Sequence, residues 1–165
     1  MVTTTAAPPR FRTVSAAGTI VALVLVLAFG NSAYRDWAED HTSATDAGGF
    51  FLRQLTWPGW SFDTDQSIRN LIATDLKAIL LVVLTAVFLS LLAVAPGWGV
   101  RGVVSAIVTG WAAFMFAAAL AGLLAAFVAV NASLVTAFNW AGGGAIYGLF
   151  VGWIVGLATL AFRSR

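Results

Sequence analysis

The chain has 165 residues, 60% of them hydrophobic and 10% charged, with a net charge of +2. A soluble domain carries roughly 45–50% apolar and about 25% charged residues, so an ordinary water-soluble fold is excluded, and the length suits one domain. With no cysteine and a single histidine, disulfides, thiolate metal centres and any site built from two imidazoles are excluded as well.

Residues 1–13 set Thr3, Thr4, Thr5, Pro8 and Pro9 ahead of Arg10 and Arg12 and read as a flexible cytoplasmic tail, because so little apolar surface cannot offset the entropy of ordering. Residues 14–33 are mostly apolar and reach the ~20 residues a helix needs to cross a ~30 Å hydrocarbon layer. They are the first expected span. The competing reading is a cleaved signal peptide with its small residues at Ala28-Phe29-Gly30, against which stands an apolar run longer than the usual ~7–15 residues.

All seven acids fall between residues 34 and 75: Asp36, Glu39, Asp40, Asp46, Asp63, Asp65 and Asp75. This is the hydrated part of the chain, expected as one extracytoplasmic loop. Within it Phe50, Phe51, Trp57 and Trp60 surround Arg53 and the Pro58-Gly59 turn, a mixture that marks a short segment at the membrane interface and a contact surface for lipid or a partner. Asp63 and Gln66 have the spacing of a capping pair, and Ile68, Leu71, Ile72 and Leu76 recur at helical spacing, so a helix is expected from about Thr64. Continued to Ala95 it would be about 48 Å long at ~1.5 Å per residue. Its first turns therefore project into water, leaving a second span at 76–95, ended by Pro96 and Gly97.

No charged residue occurs between Arg101 and Arg163, room for two crossings, expected at 103–128 and 140–162. With the amino terminus in the cytoplasm, Arg10, Arg12, Arg101, Arg163 and Arg165 lie inside without an acid among them, as the positive-inside bias favours. A third crossing in this stretch would move Arg163 and Arg165 outside. The polar residues Asn131, Ser133, Thr136 and Asn139 mark the turn between the last two spans, with Trp140 anchoring there and Trp98 at the opposite interface. The expected fold is an all-α integral membrane protein: a four-transmembrane-helix bundle over 14–165, both termini cytoplasmic, loop 34–75 outside.

The clearest pattern is Gly144, Gly148, Gly152 and Gly156, a glycine zipper on one helix stripe. Lipid offers no hydrophobic gain for pairing helices, so close backbone contact has to drive association. Ala113, Ala117, Ala121 and Ala125 offer a second small-residue face, with Gly110, Ala118, Gly122 and Ala126 beside it. Either the last two spans close on each other, or the stripe faces outward and joins copies of the chain or a larger membrane protein.

An ion-coupled transporter places ionisable groups inside its spans; here Asp75 and Lys77 come nearest, at one mouth, two positions apart and therefore facing differently. His41 sits among acids in a segment that reads as solvated, so no metal, cofactor or catalytic group is expected. No G-x-x-x-x-G-K phosphate loop occurs, and the small basic surplus reports orientation, with no nucleic-acid partner and no identifiable small-molecule substrate. The composition, rich in Ala, Val, Gly and Arg, suggests a bacterial chain of the inner (plasma) membrane. The leading expectation is a non-catalytic accessory, assembly or scaffold subunit that docks through small-residue helix faces. The runner-up is a small oligomeric channel or transporter component, and a third class is a membrane-embedded enzyme using Asp63, Asp65 and His41.

Overall fold

The computed structural model describes residues 10–43, 45–60, 67–94, 102–129 and 133–161. Among them the fold is wholly helical: α1 (Arg10–Phe29), α2 (Ser32–His41), α3 (Ala47–Gln54), α4 (Ile68–Val94), α5 (Val103–Ala126) and α6 (Leu134–Ala161). Helices α4, α5 and α6 are each long and apolar enough to cross a membrane, whereas α1 qualifies only together with α2, across a bend of 63°.

Helix α1 packs on α4 and α6, α4 also on α5, and α5 most extensively on α6, which closes the four long helices into a ring. The middle is filled by Leu81 and Leu89 of α4, Phe114 of α5, and Tyr147, Val151 and Val155 of α6. A Cβ on Gly18 of α1 would overlap Leu89 and stand 3.0 Å from Thr159 Cγ2. Hydroxyls within the bundle fold back on their own helices: Thr85 Oγ1 donates to Leu81 O at 2.6 Å, and Thr159 Oγ1 to Gly156 O at 2.7 Å. Such back-bonding satisfies a polar group with no external partner.

Several boundaries differ from those expected from sequence. Helix α1 reaches back to Arg10, into the expected tail, and stops at Phe29 instead of continuing to residue 33. The cause is Asn31. Its Nδ2 donates to Ala28 O at 2.8 Å and Leu27 O at 3.2 Å, while its Oδ1 accepts from Tyr34 N at 2.8 Å. One amide thus satisfies orphan carbonyls of α1 and an orphan N–H of α2, and the chain turns sharply between them. Helix α6 begins at Leu134 rather than near residue 140, because Ser133 Oγ accepts from Thr136 N at 3.1 Å and caps it; Thr136, Asn139 and Trp140 are therefore helical. The expected start near Thr64, the Asp63–Gln66 cap, the Pro96-Gly97 stop and the Trp98 anchor lie outside the described residues.

The segment expected as a loop holds the two short helices. Asp46 caps α3 by accepting from Gly49 N at 3.1 Å, and a Cβ on Gly49 would overlap the Ser43 carbonyl. Arg53 then ties α3 to the carboxyl end of α2, donating to Thr42 O at 2.6 Å, Glu39 O at 3.0 Å and Thr42 Oγ1 at 3.2 Å. A guanidinium there answers both the unsatisfied carbonyls and the negative end of the helix dipole. Together α2, α3 and the turn through Trp60 form a cap over one end of the bundle.

Candidate functional site

The first candidate is the contact between α5 and α6. A Cβ on Gly144 would overlap Ala118 O, and one on Gly148 would overlap Met115 Cα. One on Gly152 would lie 2.7 Å from Trp111 Cδ1, and one on Gly156 2.6 Å from Ile107 O. All four glycines therefore face α5 of the same chain at backbone distance. Gly122 of α5 reciprocates against Trp140 O, and Gly110 against Gly156 Cα, where its Cβ would stand 3.1 Å away.

The atoms nearest the glycines belong to Ile107, Trp111, Phe114, Met115, Ala118 and Ala119, not to Ala113, Ala117, Ala121 and Ala125. Those four alanines are buried as well, between 0% and 5% exposed, and Ala113, Ala117 and Ala121 belong to the apolar core shared with α4 residues. Helix α5 is small-sided on two faces because it has two helices to meet, α6 and α4. Close approach also sets up a bond that composition alone does not announce: Trp111 Nε1 donates to Gly148 O and Leu149 O, each at 3.0 Å.

The second candidate is the aromatic end of the bundle beneath the cap. Trp57 stacks on Tyr147 with centroids 5.3 Å apart, and Tyr147 leans on Phe114 at 5.7 Å. Gly143 makes room for Trp57, since a Cβ there would sit 2.8 Å from Trp57 Nε1. The Tyr147 hydroxyl is buried and has no hydrogen-bond partner among the described residues. Lys77, which sequence alone places at a helix mouth, holds its ammonium 4.9 Å from the Trp57 ring centroid and 5.4 Å from that of Trp140. Cation–π attraction of this kind contributes about 0.5–2 kcal/mol.

Of the remaining expected interface residues, Trp60 is stitched to α1, with its Nε1 donating to Val26 O at 3.0 Å and its backbone N–H to Gly30 O at 2.8 Å. Phe51 packs against the core, while the exposed Phe50 rests edge-on against Phe150 of α6 at 5.5 Å. Trp57, Trp60 and Trp140 are thus gathered at one end of the bundle. His41 stacks on Trp37 at 5.6 Å, and its Nδ1 lies 3.0 Å from Trp37 O. Among the described residues no group of three or more His, Cys, Asp or Glu side chains converges as a metal site would require.

Reasoning from sequence missed Trp111 and Tyr147, and it placed Lys77 at a helix mouth without the rings it meets. The spacing of Lys77 and Trp140 carries no signal that they meet, and only a tryptophan opposite a glycine stripe hints at the Trp111 bond. Compared with protein-family models, curated proteins and solved structures, the chain matches none.

Proposed function

We propose that the chain is a non-catalytic protein of the cell membrane with four spans, both ends cytoplasmic and the capped end outside, acting as an accessory or assembly subunit of a larger membrane protein. Support for the crossings comes from length and charge. Helix α1 has 20 residues, about 30 Å at ~1.5 Å per residue, and the sequence keeps its acids between residues 36 and 75, on the side where the positive-inside bias tolerates them. In this reading the small-residue faces serve the chain's own hairpin and make a rigid body.

The observation that carries the docking role is the cap. Residues 31–43 and 45–60 are held by side-chain bonds to backbone from Asn31, Tyr34, Arg53 and Trp60, and yet they display Trp37, 44% exposed, and Phe50, 38% exposed, to the outside. An ordered surface that leaves large aromatics uncovered is the usual mark of an interface. The expected test is affinity purification in mild detergent with W37A/F50A: the variant keeps its helicity and elution volume but loses the co-purifying membrane protein. Unchanged co-purification refutes the docking role.

Orientation has its own test, helped by the absence of native cysteine. Gly48→Cys, at an exposed position of α3, is expected to react with an impermeant maleimide on intact cells, and Gly102→Cys only after lysis. The channel reading would require a path between copies, because Phe114, Tyr147, Leu81 and Val151 fill the middle of a single chain. Liposome flux that appears only with an oligomer would favour it.

A further inference from the structure

We propose that the capped end of the bundle binds an anionic phospholipid, its phosphate held by Lys77 and Arg35 and an acyl chain lying in the groove between α4 and α5; this rests on the membrane reading above.

Lys77 is the starting point. Its side chain is half-buried between two rings, and drawing an ammonium out of water costs more than cation–π attraction returns. From α2, the Arg35 guanidinium faces the same turn that carries Trp57, with one terminal nitrogen 3.6 Å from where a Cβ on Gly59 would stand. Two like charges so placed repel. One anion between them relieves both penalties at once. A planar guanidinium fork beside a compact ammonium suits the tetrahedral oxygens of a phosphate.

The source of that phosphate is argued from the groove. It has a volume of about 570 Å³ and an almost wholly apolar lining, with Phe88 and Leu92 on α4, Thr109, Phe116 and Leu123 on α5, and Ala141 on α6. The one hydroxyl in the lining, that of Thr109, is spent on Ser105 O at 2.6 Å. From Thr109 to Leu123 the groove runs about 21 Å along α5 at ~1.5 Å per residue, longer than half of a ~30 Å hydrocarbon layer. Its end at Ala141 adjoins Trp140, whose ring faces the Lys77 ammonium. A headgroup phosphate at Lys77 and a chain in this groove are therefore within one molecule's reach, which free phosphate cannot exploit.

The test is native mass spectrometry of the detergent-purified full chain with added phosphatidylglycerol, phosphatidylcholine or inorganic phosphate. Phosphatidylglycerol is expected to stay bound in preference to phosphatidylcholine, and R35Q/K77Q to weaken it roughly tenfold or more, the scale of one charge-assisted hydrogen bond. Ala119→Phe, which fills the groove, is expected to weaken it too, while R35K/K77R, which keeps both charges, retains it. Equal retention of the two lipids, or undiminished binding by R35Q/K77Q, overturns the proposal. So does inorganic phosphate that binds regardless of Ala119→Phe, which marks a free-anion site, or a co-purified protein helix that occupies the groove instead. Carbonate extraction separates the premises: a chain that stays in the membrane fraction without retaining phosphatidylglycerol refutes the lipid site alone, and a chain released to the supernatant refutes the membrane reading.

Discussion

Replacing Gly148 and Gly142 of α6 by alanine adds the same methyl group to the same helix in two opposite settings. At Gly148 the new Cβ overlaps Met115 Cα and stands 3.0 Å from Met115 Cβ and 3.2 Å from Met115 N. Carbon contacts prefer about 3.5–4.0 Å, and backbone cannot rotate aside, so α5 and α6 must part by about 1 Å or more. Overpacking of this kind costs about 1–3 kcal/mol. At Gly142 nothing lies within 4 Å, and the substitution collects only the helix-propensity gain of about 1 kcal/mol. That gain is common to both positions, so the difference between the two variants isolates the packing cost, about 1–3 kcal/mol in favour of Gly142→Ala. The assay is unfolding in dodecyl maltoside titrated with dodecyl sulfate, followed by far-ultraviolet circular dichroism. If Gly148→Ala matches Gly142→Ala to within about 0.5 kcal/mol, the glycine stripe does not meet α5 in the way described.

Three further outcomes follow from the same bundle. Tyr147→Phe removes a buried hydroxyl that has no partner among the described residues and is expected to raise stability by up to about 1–2 kcal/mol in the same titration; a loss of that size would mean the hydroxyl is bonded. Trp111→Phe deletes the bonds to Gly148 O and Leu149 O and is expected to cost about 0.6–1.7 kcal/mol, so an unchanged midpoint counts against them. Asn31→Ala uncaps α1 and α2 together and is expected to destabilise the junction by about 0.5–2 kcal/mol, read as faster amide exchange across Tyr34 and Arg35, and protection equal to that of the parent chain would refute the double cap.

Long apolar runs were legible along the chain because burying them needs no particular partner: any helix of such composition avoids water, and α4, α5 and α6 follow from length and hydropathy. The caps were harder to read. Asn31 and Ser133 are ordinary polar residues until a backbone N–H three positions on is seen to point at them, so sequence alone misplaces the end of α1 and the start of α6. Gly48 and Gly49 argue against a helix by propensity, yet α3 forms because Asp46 caps it and the Ser43 backbone leaves no space for a side chain at residue 49.

Composition and spacing alone establish an apolar chain with long helical runs, an acidic segment and a stripe of glycines that demands a close neighbour, since periodicity along one helix is a local property. Which helix answers that stripe, that Trp57 and Trp140 converge on Lys77, and that α5 divides its small faces between α4 and α6 depend on residues far apart in the chain. Contacts of that sort arise from the packing of several helices at once, and no single segment records them.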